Sequence, residues 1–213
     1  PMVHEVEAIF AGGIHDETSA GMLTAMTSKL LSLGARIGVV MGTAYLFTEE
    51  AVQSGAILPQ YQDVAINLSK TTTIRTAPGH STRCAPTGFI DAFETRRREC
   101  LADGIADREL WATLEAFNVG RLRVASKGIE RQGDALIEVD ATTQKDEGMY
   151  MIGEVATLRN QPINIRVLHD QVALESGDWI KGQVESLISQ AHSRSDGQMM
   201  NEPQSIESII DVD

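Results

Sequence analysis

Phe10-Ala11-Gly12-Gly13-Ile14 and Val40-Met41-Gly42-Thr43-Ala44 are the two stretches on which the fold turns. Each closes a brief apolar run, Val6 to Phe10 and Ile37 to Met41, with the length and composition of a buried strand. Between them, Glu17 to Leu33 carries Met22, Leu23, Met26, Leu30 and Leu33 at helical spacing, which predicts a buried helix face. Asp16 can cap this helix and Gly34 can end it. Strand, helix and strand form one βαβ unit, so the strands should be parallel with their C-terminal ends adjacent. Two glycine turns at those ends would surround one small concavity with backbone N–H groups. A Cβ would hold phosphate oxygens off the backbone, so glycine there points to phosphate binding. Thr43 adds a hydroxyl donor. Gly12, Gly13, Gly42 and Thr43 are the candidate anchors. Asp16 and Glu17 oppose an anion at the first helix start, which moves the expected phosphate toward Gly42-Thr43.

Composition narrows the function classes. The 213 residues suffice for one large domain or two small ones, with ordinary hydrophobic (42%) and charged (23%) content. Aromatic content is only 5%, so aliphatic and Met side chains must build much of the core. A formal net charge of −12 argues against a nucleic-acid or anionic-membrane partner. No apolar run approaches the ~20 residues of a membrane span. The first residues, with His4, Glu5 and Glu7, do not read as a signal peptide. Cys84 and Cys100 form no disulfide framework or metal spacing, so a reducing cytoplasm is the expected setting.

Farther along, Thr48 should cap a short helix that opens with Glu49 and Glu50 and stops at Gly55. Val64 to Leu68 reads as either helix or strand, and Thr71 to Thr76 as extended. Ala77 to Ser81 is a turn. Helices are expected over Pro86 to Ala102 and Asp107 to Phe117, a basic loop over Asn118 to Gly133, and a compact apolar helix over Gly148 to Leu158. Short helices follow at Ile165 to Val172 and Trp179 to Ala191, then an acidic, disordered linker from Ser193.

A (β/α)8 barrel grips phosphate with the turns after its last two strands. The chain opens at Pro1 almost inside a strand, and two strands cannot close a barrel of eight. The expected fold is therefore α/β: the C-terminal portion of a (β/α)8 TIM barrel, its last two strands, with a mainly helical appendage. The expected divisions are residues 1–58 for the strand-helix units, 59–175 for the appendage and 176–213 for a terminal helix and linker.

Ala11 to Ile14, and Met41 to Thr43 followed by Phe47, Glu49 and Glu50, resemble the strand-seven and strand-eight motifs of the flavin-dependent nitronate monooxygenase (2-nitropropane dioxygenase-like) family. Glu147-Gly148 and Gly153-Glu154 resemble its C-terminal Gly-x-x-x-x-Gly-Gln segment, with Glu154 in place of the amide. A closer likeness is to a subgroup found inside polyketide and polyunsaturated-fatty-acid synthases. It rests on Met41 to Val52, Pro78-Gly79-His80-x-x-Arg83-Cys84, Gly120 to Gly128, and Glu147 to Gly153. The resemblance covers roughly residues 5 to 160. It implies FMN as cofactor, with its phosphate at Gly12, Gly13, Gly42 and Thr43. The activity implied is that of an oxidoreductase of the enoyl-reductase type. Its partners would be a substrate bound to acyl carrier protein and adjacent synthase domains, and a homo-oligomer fits the same picture. A stand-alone nitronate monooxygenase and a non-catalytic docking segment are the alternatives. The family's catalytic histidine lies on an earlier strand, so the catalytic residue is unknown and residues 1–213 alone should be inactive.

Other residues admit two readings each. His15 could face flavin or substrate, or be a surface histidine capping the helix. His80, Arg83 and Cys84 could border the site mouth, or form a structural turn with a buried thiol. Arg96, Arg97 and Arg98 could dock an acidic carrier, or be a solvated face. Arg121, Arg123 and Lys127 are a second basic candidate. Met149 and Met151 could fill the core or line a substrate surface, and core filling is the expected reading.

Overall fold

A computed structural model describes residues 5–199, with side chains to residue 192. Strands β1 (Glu7–Ala11) and β2 (Arg36–Val40) pair in parallel, from Glu7 opposite Arg36 to Ala11 opposite Val40. Helix α1 (Glu17–Ser32) is the crossover between them. It begins in a capping box: the Ser19 N–H donates to Asp16 Oδ1 (2.8 Å), and the Asp16 N–H donates to Ser19 Oγ (3.1 Å). Gly34, at φ +91°, follows its C-terminus. The βαβ expectation is thus met, each strand lying within one residue of the expected place.

The burial expected of this unit is not met. Of the α1 stripe only Leu23 is buried, whereas Met22 and Met26 are 57% and 79% exposed. Ile9 and Val40 are likewise exposed. Among the described residues the sheet has two strands, and α1 meets it with one flank. The other side of α1 packs on the C-terminal helices, where Ala20 and Thr27 are buried and Gly21 lies against Trp179. The helical period was right, but it marked the open face.

Short helices α2 (Thr43–Leu46), α3 (Glu49–Gln53) and α4 (Pro59–Ile66) follow β2. The ambiguous stretch from Val64 is thus helical at its start. Two antiparallel hairpins come next, β3 (Thr72–Ala77) with β4 (His80–Cys84), then β5 (Ile129–Gln132) with β6 (Ala135–Glu138). Between them lie α5 (Gly88–Ala102), α6 (Asp107–Asn118) and α7 (Arg121–Lys127). Residues 118–133 are therefore not a loop. Helix α7 is bracketed by left-handed Gly120 and Gly128 and buries only Val124 and Ala125, too few to display a period. After α8 (Ala141–Glu147), a 3₁₀ turn (Glu154–Thr157) and α9 (Ile165–Asp170), a π turn (Gln171–Glu175) joins α9 to the long α10 (Ser176–Met199). The two short C-terminal helices expected separately are thus continuous. The stretch read as linker is helical in backbone from Ser193 to Met199, and its remainder lies outside the described residues.

Residues 148–158 are not a compact helix. Gly148 to Gly153 is extended and lies beside β4: the Ala85 N–H donates to Tyr150 O (3.0 Å) and the Ile152 N–H to Arg83 O (3.2 Å). Apolar residues on every side of a segment give helix and buried strand the same signature. This thread joins three apolar clusters. Met149 enters the one formed by Ile74, Cys84, Phe89, Phe93 and Leu114. Tyr150, Ile152 and Ala156 enter that of Phe47, Ile57, Tyr61 and Ala125, and Val155 that of Ala20, Ala44 and Leu168. The core thus sits mainly beyond β2. The molecule is a mixed α/β protein with three two-stranded sheets and no closed barrel among the described residues.

Candidate functional site

The C-terminal ends of β1 and β2 carry the two glycine turns. The last paired residues are Ala11 and Val40, so Gly12-Gly13 and Gly42-Thr43 leave the same end of the sheet. Gly12 and Gly13 have φ of +90° and +81°, a region that favours glycine. Gly42 has a negative φ of −115°, outside the left-handed region that favours glycine. A Cβ built at Gly12, Gly13 or Gly42 would meet no protein atom within 4 Å. The backbone at these positions is open to an approaching group.

The four candidates are not equivalent. Gly12 and Gly13 line an apolar groove of about 690 Å³ with Phe10, Met22, Met26 and Leu158, whereas Gly42 and Thr43 do not reach it. Thr43 Oγ1 accepts a hydrogen bond from the Gly153 N–H (2.8 Å). Its own O–H is left to donate elsewhere. Gly153, expected within a helix, instead ends the extended segment. Its role is close approach: a Cβ there would lie 2.9 Å from Thr43 Oγ1.

The first turn is braced from behind. His15 Nδ1 donates to the Gly13 carbonyl (2.8 Å), and its Nε2 lies 3.4 Å from Asp16 Oδ2. Arg159 donates to the His15 carbonyl. His15 is 9% exposed, so it is neither a surface histidine nor the helix cap, which is Asp16. It closes the turn on itself. Burial pushes the Asp16 carboxyl up, but the Ser19 amide and hydroxyl, with His15 and Arg159 nearby, outweigh this and hold it below its ordinary value.

The second turn is clipped through its own motif. The Glu49 N–H donates to Ile163 O (3.0 Å), and the Ile163 N–H donates to Phe47 O (2.9 Å). The Glu50 carboxylate accepts from the Ile165 N–H (2.9 Å) and from Asn164 Nδ2 (2.6 Å), at the start of α9. The acidic pair therefore includes a helix cap for a segment over a hundred residues away. The Tyr45 hydroxyl and His169 Nε2 share a 2.9 Å bond across the same junction.

The remaining candidates stand apart from these turns. His80 pairs with Glu115 (2.9 Å), and Arg83 bonds Glu154 and Thr71. Cys84 is fully buried, and burial pushes its thiol up to about 11, which leaves it a poor nucleophile. Arg96 and Arg97 pair with Glu99 and Glu94 on their own helix, as a solvated face does. Met149 is buried, but Met151 is 51% exposed because it alternates outward on the extended thread. Among the described residues no cluster of His, Cys, Asp and Glu could hold a metal ion. No described helix is long and apolar enough to cross a membrane.

No family model and no curated protein matches the chain. Among solved structures, a FabK point mutant from Thermotoga maritima is similar, with a TM-score of 0.48 and 20% identity. The similarity covers 85% of this chain and 43% of that one, so the chain spans less than half the length of that structure.

Proposed function

We propose that this chain is the phosphate-gripping part of an FMN-dependent oxidoreductase that reduces carrier-bound enoyl chains in a polyketide or fatty-acid synthase. The observation that carries the reading is the paired turns: Gly12, Gly13 and Gly42 leave one end of a parallel sheet with open space where a Cβ would stand. The motifs around them, from Met41 to Val52 and from Glu147 to Gly153, supply the resemblance to flavin-dependent synthase domains.

These residues fit a phosphate. The turns offer backbone N–H donors, and the Thr43 O–H can donate while its oxygen accepts from Gly153. His15 and Arg159 fix the first turn, and the Glu50 and Thr43 clips fix the second, so the donors are held before the ligand arrives. When bound, the flavin supplies the redox chemistry; the chain supplies placement and electrostatics. The acyl chain, its carrier and the neighbouring synthase domains belong to the same proposal, as does a cytoplasmic setting.

The test is FMN titration of the intact native protein and its Gly42→Val variant, followed by fluorescence. A Cβ at Gly42 meets no protein atom, so the variant should fold. Its branched side chain should weaken FMN by about tenfold or more, on the order of 1.4 kcal/mol. The nicotinamide-reduced protein should then reduce a carrier-bound enoyl thioester with a higher kcat/KM than it shows in oxidising an alkyl nitronate. Equal FMN affinity in a folded variant overturns the site. Nitronate turnover without enoyl reduction overturns the substrate class.

A further inference from the structure

We propose that the cleft between α7 and β5 binds the phosphate ester of a small organic molecule, held by Arg123 and Arg131. Most of the Gly120–Gly128 motif is accounted for by folding. The Met149 N–H donates to Arg121 O (3.0 Å), and the Leu58 N–H donates to Ser126 O (3.0 Å). The Arg121 guanidinium bridges Glu147 (2.9 Å) and Glu130 (3.3 Å). Val124 and Ala125 are buried, Lys127 bonds the Gly55 carbonyl, and left-handed Gly128 passes close to Leu58. The Arg123 side chain has no such role.

Arg123 instead lines a cavity of about 340 Å³ together with Arg131, which comes from β5. Val119 and Val124 supply apolar wall, and Arg121 and Glu130 complete its charged rim. Among the described residues, neither the Arg123 nor the Arg131 guanidinium has a hydrogen bond or ion pair of its own. Glu130, the carboxylate facing the cavity, is already engaged by Arg121. Both guanidinium groups are exposed on the same cavity, which leaves their donors open to an anion. A chain with 30 acidic residues leaves them unpaired here. Guanidinium forks match phosphate oxygens bidentately, and two of them suit a dianion better than a carboxylate. The cavity falls in the size range of small-ligand sites, which leaves room for an organic body beside the phosphate.

Such a phosphate could belong to a nucleotide or to a pantetheine arm, and the experiment separates the two. The full chain, with no flavin added, is titrated calorimetrically with inorganic phosphate, adenosine 2′-phosphate and 4′-phosphopantetheine, and with adenosine as the uncharged control. Wild type, Arg123→Gln, Arg131→Gln and Arg97→Gln are compared, with near-UV circular dichroism to establish that each is folded. Saturable binding should appear with the phosphorylated compounds and not with adenosine. It should weaken by about tenfold or more in Arg123→Gln and Arg131→Gln and stay unchanged in Arg97→Gln, whose partner is Glu94. Tighter binding of one organic phosphate names the source, and either source supports the site. No saturation by any phosphate up to about 10 mM, or equal affinity in the Arg123 and Arg131 variants, overturns it. Flavin takes no part, so failure of the FMN reading leaves this result readable.

Discussion

Gly153→Ala tests the link between the extended thread and the second glycine turn. The backbone at Gly153, with φ −84° and ψ 172°, suits any residue, so the cost comes from contact alone. The new Cβ would lie 2.9 Å from Thr43 Oγ1 and 3.8 Å from Thr43 Cβ. The hydroxyl can move away only by giving up its bond from the Gly153 N–H. Losing that bond costs about 1 kcal/mol, and overpacking adds roughly 1–2 kcal/mol, for a total of about 2–3 kcal/mol. Thr43→Ala alone loses the same bond and leaves the Gly153 N–H unpartnered, at about 1–2 kcal/mol. In the double variant the obstructing oxygen is gone and the bond is already lost. Its cost should therefore stay near that of Thr43→Ala, with a coupling energy of about −2 to −3 kcal/mol. Urea unfolding followed by far-UV circular dichroism measures all four proteins. Single-variant costs that add to within about 0.5 kcal/mol would refute the contact.

Three further variants have outcomes set by their surroundings. Asp16→Ala should cost about 1 kcal/mol at neutral pH, because the carboxylate caps α1. The folded Asp16 carboxyl lies below its ordinary 3.8, so this difference should be fully present above pH 3.8 and fade as pH falls through the folded value. Denaturant midpoints taken across that range check it, and a gap that widens on acidification would contradict it. Gly148→Ala should destabilise by about 3 kcal/mol, since its Cβ would sit 2.4 Å from Gln144 O and 2.8 Å from Ala125 Cα, both backbone atoms. Gly182→Ala, in α10 with nothing within 4 Å, should instead stabilise by about 0.5–1 kcal/mol, and thermal melts of the pair give the two signs.

Local signals were legible in the sequence, and pairings over distance were not. The βαβ unit, its cap at Asp16 and its end at Gly34 were readable because each depends on neighbours in the chain. The helices over 88–102 and 107–118 were readable because their buried residues repeat every three or four positions. The extended thread at 148–153 was not, since its partners lie at Arg83, Ala85 and Arg121. The hairpin of β5 and β6 did carry a local signal, the Gln132-Gly133-Asp134 turn with Gly133 at φ +60°. That turn places Arg131 on a strand opposite Leu136, but does not give its approach to Arg123. At the candidate site, Gly12, Gly13 and Gly42 were legible as open turns. The braces behind them were not: His15 folds back onto Gly13, and Glu50 reaches across to Asn164 and Ile165.

That division explains why the stretches from Met41 to Val52 and from Glu147 to Gly153 hold so few candidate binding groups. Phe47 to Glu50 bonds the 163–165 segment, and Gly153 bonds Thr43. Met149 bonds Arg121, while Gly148 leaves room for Ala125. Several polar groups here hold one segment to another, among them Thr43, Glu50, Arg83 and Arg121, and the buried apolar residues fill three clusters that meet along a single thread. Phosphate recognition by backbone asks for no particular side chain, only for N–H groups fixed in place with no Cβ in the way. A sequence that specifies such a site therefore spends its residues on the fixing. The Thr43–Gly153 contact is where fixing and the proposed recognition meet: the hydroxyl oxygen holds the Gly153 N–H, and its own O–H is left to donate. The double-variant cycle at these two residues, read against FMN affinity in the same proteins, measures how far the two roles are coupled.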